Sequence, residues 1–380
     1  MEDRSLRSVL YVLPATAIGG AETRFHTIIR RMKETRSVLL THSVIADYFS
    51  DLGITVRRFD EYGCDSPMPV SFRETVRYAK AISVAVRREN IDCILGIMYV
   101  GTFYAAIAKD LFRLRPPIIG TILGNISAYF DMEERRPTLL EKSLLWYLLR
   151  RPTLLAVPSE GVKDDIVKNF RLPEQRIEVI YNGIDIDRVR CLASERIDIL
   201  NGYDGKIIIT ACRLNAQKDF PTLLNAFREV RTIMKARLII IGDGELRDEI
   251  TWIAQDLGID EYVSIVGFQK NPFVFFRTAD VFVLSSFAEG FGNVIVEAMA
   301  LGIPVVATDC PSGPGEIIQD GISGFLVPLR DSRTMAARII RLLTDGELKK
   351  RFAARGRERA ECFRVETMVD GFRRLILKVR

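Results

Sequence analysis

Four charged side chains are the first candidates for chemistry: Glu289, Glu297, Arg213 and Lys218. Seven residues separate the two glutamates within the stretch Phe287-Ala288-Glu289-Gly290-Phe291-Gly292-Asn293-Val294-Ile295-Val296-Glu297-Ala298-Met299-Ala300. Its second half reads as a helix beginning near Asn293. Glu297 interrupts an otherwise apolar turn there, and an ionised carboxylate in that setting is costly unless a polar partner meets it. The amides of the helix start favour an anion at the same place. Arg213 and Lys218 share the loop Cys212–Asp219, and two fixed cations could hold an anion and offset charge developing on it. Each residue alone has a plainer reading: Glu289 and the two cations as solvated loop residues, Glu297 as half of a structural ion pair.

The elements around these residues are those of a parallel sheet. Val281–Leu284 and Ile303–Ala307 are short β-branched runs on either side of the glutamate stretch, and both read as buried strands. The loop carrying Glu289 therefore lies at the carboxyl end of a parallel strand, where open α/β sheets bind ligands. Lys206–Ala211, Leu238–Ile241, Val263–Gly267 and Gly324–Pro328 read as further strands of the same half. In the first half, Val9–Leu13, Ser37–Leu40, Ile54–Val56, Cys93–Gly96, Ile118–Thr121, Leu154–Ser159 and Ile177–Tyr181 alternate with helical patterns, notably Phe72–Arg88. Ser159 is placed to cap the helix that follows it. Such alternation predicts parallel sheets covered on both faces.

Gly19-Gly20-Ala21-Glu22 sits at a helix start after the first strand, where glycine lets backbone approach a ligand, or simply makes a tight turn. Gly242-Asp243-Gly244-Glu245 lacks the third glycine of a dinucleotide fingerprint, because Arg247 stands in its place. Asp185–Asp204 loses periodicity and gains charge, and reads as a linker. The expected division is 1–184, 185–362 and a C-terminal amphipathic helix over 363–380, with Val365, Met368, Val369, Phe372 and Ile376 at helical spacing.

With 380 residues, 48% hydrophobic and 27% charged, the chain is long for a single core and ordinary for a globular protein. A net charge of +5 permits contact with an anionic surface but does not argue for nucleic acid. Six scattered cysteines without a Cys-x-x-Cys pair suggest reduced thiols in a cytosol rather than a disulfide framework. His26 and His42 are the only histidines, which excludes histidine-rich metal sites. No signal peptide is read at the start, and no apolar run approaches the ~20 residues of a membrane span. One helix, Leu139–Leu149, is apolar nearly all round, with Arg135, Arg136, Arg150 and Arg151 at its flanks. It reads as a buried domain helix, with an anionic membrane surface as the alternative.

Glu289 and Glu297, with Glu-Gly-Phe-Gly and Glu-Ala-Met-Ala-Leu-Gly-Ile-Pro-Val-Val-Ala-Thr around them, resemble the paired-glutamate motif of the retaining glycosyltransferases of family 4. The resemblance covers most of the second half of the chain and extends more weakly into the first. It implies the GT-B architecture, an α/β fold of two Rossmann-like domains facing across a cleft. The first domain would bind the acceptor, the second the nucleotide sugar, and the C-terminal helix would return to the first domain. It implies that Arg213 and Lys218 clamp the departing diphosphate, that Glu289 binds sugar hydroxyls and offsets oxocarbenium charge, and that Glu297 holds the ribose hydroxyls. Phe291, Gly292, Asn293 and Val294 would contact sugar and phosphate; Phe268 and Gln269 fall where base contacts lie; Gly19 and Gly20 form the loop that closes on the donor. Members often carry a histidine after the strand that here reads Ile118–Thr121. This chain has Leu123-Gly124-Asn125 instead, and Asn125 could bond an acceptor hydroxyl but cannot act as a base near neutral pH.

The reading is thus a metal-independent, cofactor-free hexosyl- or N-acetylhexosaminyltransferase, cytoplasmic or at the inner face of a membrane. The donor is a UDP-sugar in preference to a GDP-sugar, a leaning taken from the Ser312-Gly313-Pro314-Gly315-Glu316 sequence, and the acceptor is a glycan or lipid-linked glycan. The alternatives are a catalytically silent nucleotide-binding subunit of a membrane-associated complex, or a nucleotide-sugar epimerase, which would call for more histidines.

Overall fold

The structure, a computed structural model, describes residues 7–64, 71–195 and 203–379. They form two compact units, each built on one parallel sheet. The first unit takes residues 1–126, 136–181 and 366–380; the second takes 127–135 and 182–365. The sequence placed 127–135 in the first domain.

The first sheet contains β1 (Arg7–Leu13), β2 (Thr35–Thr41), β3 (Thr55–Arg58), β4 (Cys93–Gly96), β5 (Ile118–Thr121), β6 (Leu154–Val157) and β7 (Ile177–Val179). Their spatial order is β3-β2-β1-β4-β5-β6-β7, and every pairing is parallel. Its central strands are buried on both faces, which explains their continuous runs of Val, Leu and Ile. Ser159 accepts from the Val162 amide at 3.3 Å and caps the helix Glu160–Phe170. The C-terminal helix Val365–Lys378 belongs to this unit from Glu366 onward. Phe372 meets Phe25 edge-on with ring centres 5.7 Å apart, and Arg373 pairs with Glu34 at 3.1 Å.

The second sheet contains β8 (Lys206–Ala211), β9 (Ala236–Ile241), β10 (Val263–Gly267), β11 (Val281–Leu284), β12 (Val305–Thr308) and β13 (Phe325–Val327), in the order β10-β9-β8-β11-β12-β13. The chain builds outward from β8 through β9 and β10, then returns to lay β11 beside β8. That reversal opens a crevice at the carboxyl ends of β8 and β11, the usual ligand position in an open parallel sheet. Beneath it lies a core that includes Leu214, Phe220, Leu223, Leu224 and Phe227.

Two expectations fail. The supposed linker contains a helix, Ile186–Ala193, capped by Asp185 and burying Ile186, Val189 and Ala193; its charged residues are the outer face of an amphipathic segment. The remainder of that stretch, 196–202, lies outside the described residues. The apolar helix, here Leu139–Arg150, buries only Leu148 and Leu149 fully. Its leucines outnumber the core positions that a single packed face offers.

Candidate active site

Lys218 and Glu289 come from the two loops that flank the crevice of the second sheet, one after β8 and one after β11. Lys218 Nζ stands 2.5 Å from Glu289 Oε1, and both side chains are nearly buried. Burial pulls the Lys218 ammonium down, but the Glu289 carboxylate outweighs it and holds the lysine above its ordinary pKa. Lys218 is therefore a fixed cation at neutral pH.

Local geometry aims both groups. Asp219 follows Lys218 with φ of 44°, a left-handed conformation that Asp tolerates, and it caps the next helix, Phe220–Ile233, by accepting from the Thr222 amide and hydroxyl. Ser285 Oγ donates to the Lys218 carbonyl at 2.6 Å, and the Phe287 amide donates to the Gln217 carbonyl at 2.8 Å. Gln217 Nε2 donates to the Ala288 carbonyl. These bonds stitch the two loops together. Ser286 Oγ donates to Glu289 Oε1 at 2.6 Å, while Ser312 Oγ grips the Glu289 carbonyl from behind. The proline-glycine loop after β12 is thus a brace for Glu289, not merely a turn. A Cβ on Gly313 would lie 2.1 Å from the Phe291 carbonyl oxygen, so glycine is needed there.

Gly292 has φ of 103° and turns the chain into the helix Asn293–Ala300. Phe291 is buried edge-on against Phe363, and Asn293 Oδ1 accepts from Asn182 at 2.8 Å. Val294 is half-buried in the first turn. Glu297 keeps a partly exposed edge but is desolvated by the protein around it, and this pushes its carboxyl up to about 7. No hydrogen-bond or ion-pair partner meets the Glu297 carboxyl among the described residues. The structural ion pair considered for it from sequence is not formed there.

Arg213 does not join the buried pair. It is mostly exposed and meets Glu245 at 3.4 Å. Glu245 belongs to the Gly-x-Gly stretch after β9, whose glycines serve packing: Cβ atoms on Gly242 and Gly244 would lie 1.9 and 2.4 Å from the carbonyl oxygens of Cys212 and Leu214. Phe268, after β10, is 76% exposed, and Gln269 donates to the Val266 carbonyl at 2.8 Å. In the first unit, the Gly19 amide donates to Glu22 at 2.8 Å, and a Cβ on Gly20 would meet nothing within 4 Å. Asn125 is buried after β5, beside Gly124, whose carbonyl accepts from Tyr99.

The structure therefore joins Lys218 to Glu289 and leaves Glu297 open. It places Arg213 at the exposed start of the Lys218 loop, Phe268 and Gln269 on another loop of the same unit, and Gly19, Gly20 and Asn125 in the first unit. Sequence reasoning misses Gln217, Ser286 and Asn182, and takes from Ser312 only a leaning toward UDP, not its bond to Glu289. The serines just after two apolar strand runs were the available signal.

Among curated proteins, the chain is 31% identical over 232 residues to the N-acetylgalactosamine-N,N'-diacetylbacillosaminyl-diphospho-undecaprenol 4-alpha-N-acetylgalactosaminyltransferase of Campylobacter jejuni, covering 61% of this chain and 62% of that protein. It is 28% identical over 300 residues to the N-acetyl-alpha-D-glucosaminyl L-malate synthase of Bacillus anthracis, covering 77% and 76%. The chain spans less than two thirds of the length of the Campylobacter protein. Among solved structures, the Anabaena protein HepE in complex with UDP superposes with a TM-score of 0.82 at 21% identity, covering 98% of this chain and all of that one. The sucrose-phosphate synthase of Thermosynechococcus elongatus gives 0.80 at 18%, covering 98% of each chain. These likenesses establish the GT-B fold, two parallel-sheet α/β domains. The family description Glycosyltransferase Family 4 matches residues 18–188, and Glycosyl transferases group 1 matches residues 195–359. With both halves matched, the chain belongs to the family 4, group 1 glycosyltransferases.

Proposed function

We propose that this protein transfers a sugar from a nucleoside diphosphate sugar, with retention of anomeric configuration, to a glycan or lipid-linked acceptor. The observation that carries the reading is the division of labour in the crevice of the second sheet: a buried Lys218–Glu289 pair beside a carboxyl, Glu297, left without a partner. Breaking a sugar–phosphate bond places positive charge on the ring and negative charge on the departing diphosphate. Lys218 supplies a desolvated, permanently cationic group for the diphosphate, and the first-turn amides after Gly292 add their dipoles. Glu289, held rigid by Ser286 and Ser312, offsets the ring charge and accepts from sugar hydroxyls. Arg213, on its exposed loop, completes the cationic side once substrate draws it from Glu245.

Glu297 suits a pair of ribose hydroxyls. A carboxyl that titrates near neutrality without a protein partner gains most from a ligand that donates hydrogen bonds to its ionised form. Phe268 offers an exposed ring for a base. UDP as the base carrier is supported by the Ser312-Gly313-Pro314-Gly315-Glu316 loop and by the UDP in the HepE complex. A lipid-linked acceptor is supported by the Campylobacter relative, whose name specifies a diphospho-undecaprenol. Asn125 is not a base, so the departing phosphate itself takes the acceptor proton on the face it leaves.

The test is transfer from UDP-hexoses and UDP-N-acetylhexosamines to an acceptor panel, with the product anomer read by NMR. The reading predicts a retained anomer and a loss of about 10²–10³-fold in Glu289→Gln. An inverted product, or undiminished transfer in Glu289→Gln, would overturn it.

A further inference from the structure

Asn125 is the one polar side chain between Ile122 and Ile126, a stretch without charge. It lies just past the carboxyl end of β5, the edge at which a parallel sheet meets ligands. Both of its chain neighbours are gripped by side chains from elsewhere in the first unit. On one side Tyr99 donates to the Gly124 carbonyl at 3.0 Å. On the other the Ile126 amide donates to Asp165 Oδ2 at 2.8 Å. Tyr99 comes from the helix Met98–Phe112 after β4, and Asp165 from the helix Glu160–Phe170 after β6. Strands β4 and β6 flank β5 in the sheet, so the loop is held from both sides.

Each clamp is itself fixed. Met98 has φ of 59°, a left-handed conformation that is costly for a side chain of its size, and its amide donates to Thr121 Oγ1 at 2.9 Å. Thr121 Oγ1 donates in turn to the Gly96 carbonyl at 3.1 Å. A Cβ on Gly101 would lie 2.4 Å from the Val12 carbonyl oxygen, so the head of this helix is pressed against the end of β1. Tyr99 thus leaves a strained and pinned backbone. Burial, then the charge of Asp165, hold its phenol well above the ordinary range, and it stays a donor.

Asp165 is 5% exposed, and its other oxygen accepts from Asn169 at 2.8 Å, one turn further along the same helix. Taking a carboxylate this far from water is costly, and the hydrogen bonds it accepts offset the cost. The group so gripped between the two clamps is a neutral carboxamide. It cannot draw a ligand from a distance. It offers one oxygen to accept and one NH2 to donate, and these discriminate only when their direction is fixed.

We infer that Tyr99 and Asp165 are positioning residues of the transfer reaction, fixing the direction of Asn125 so that its carboxamide meets an uncharged hydroxyl of the acceptor sugar. The inference rests on the proposed function and adds to it two residues that act only through a third.

The test is a set of variants of the full chain in the transfer assay. Tyr99→Phe keeps the ring and removes the hydroxyl; it should lower kcat by about tenfold and leave the KM for the donor unchanged. Asp165→Asn still offers an oxygen to the Ile126 amide and should keep most of the rate. Asp165→Leu offers none and should lose about as much as Tyr99→Phe. Asn125→Ala removes the group being aimed, and in that background Tyr99→Phe should cost nothing further. A residue that merely supports the fold would cost the same in either background. That outcome, or a full rate in Tyr99→Phe, would overturn the inference.

A second measurement needs no turnover. The side-chain amide of Asn125 is followed by NMR in the isotope-labelled full chain and assigned by its absence in Asn125→Ala. It should be ordered in the wild type and in Asp165→Asn, and mobile in Tyr99→Phe and Asp165→Leu. An amide that is mobile in the wild type, or ordered in all three variants, would overturn the inference. A wild type that transfers no sugar would overturn the proposed function instead, and this measurement would still decide whether Asn125 is held.

Discussion

Two helices in this chain begin beside glycine at the carboxyl end of a sheet, and they are built differently. At Gly19–Gly20 the helix start is self-contained: Glu22 accepts from the Gly19 amide, and space around Gly20 is empty. At Gly292 the start is imposed by its surroundings. Its φ of 103° excludes an easy replacement, Gly313 backs onto the Phe291 carbonyl, and Ser312 holds the neighbouring Glu289. Glycine in sequence looks the same at both places. Only the second is braced by chain from elsewhere in its unit, and only the second stands beside a preorganised cation and two carboxylates. Preorganisation is what separates a helix start able to stabilise developing charge from one that merely turns the chain.

The largest effect should come from breaking the brace at its charged centre. Lys218→Ala leaves the nearly buried Glu289 without its cation and should destabilise the protein by about 3–5 kcal/mol, with transfer reduced about 10²–10³-fold. Chemical denaturation and turnover measure the two losses separately. Lys218→Met combined with Glu289→Leu should recover most of the stability and none of the transfer, because an apolar pair fills the space but carries no charge.

Glu297 gives the next effect, and its sign is set by burial. The folded protein keeps a proton on this carboxyl up to about pH 7, whereas an unfolded chain releases it near the ordinary 4.5. Its share of stability is therefore fully present at acid pH and declines as pH rises from 4.5 through 7, by at most roughly 3 kcal/mol. Glu297→Gln should flatten that decline and raise the melting temperature of the nucleotide-free protein at pH 8. A pH series of thermal unfolding for both proteins checks this.

The glycine comparison can be broken directly. Gly292→Ala should cost about 1–3 kcal/mol through its left-handed backbone, whereas Gly20→Ala should be neutral or stabilising by up to about 1 kcal/mol. Equal losses in denaturant midpoint would show that the first loop is as constrained as the second. Arg213→Ala should show the smallest stability change, within about 0.5 kcal/mol, because its ion pair is exposed. Its transfer rate should still fall by roughly tenfold, an order set by one exposed charge-assisted contact.

Much of this architecture was legible in sequence because the strands are buried on both faces and read as unbroken apolar runs. Glu289, Glu297 and Lys218 were legible as types at suggestive spacings. Their pairing was not: Lys218 and Glu289 are joined only because β11 returns to lie beside β8, a matter of sheet order that no local pattern encodes. Arg213 was grouped with Lys218 because they share a loop, yet the turn through Asp219 buries one while the other stays in solvent beside Glu245. The helix Leu139–Arg150 misled for the opposite reason. Hydrophobicity all round predicts burial only when neighbours exist on every side, and here packing covers one side.

The central claim is that Glu297 is left open for a nucleotide. Thermal unfolding of the wild type and Glu297→Ala, with and without UDP, tests it most directly. A ligand at a hundredfold over its dissociation constant adds about 2.7 kcal/mol of stability. The account predicts such a shift with UDP in the wild type and its loss in Glu297→Ala. No shift with UDP or GDP, or an equal shift in both proteins, would contradict it.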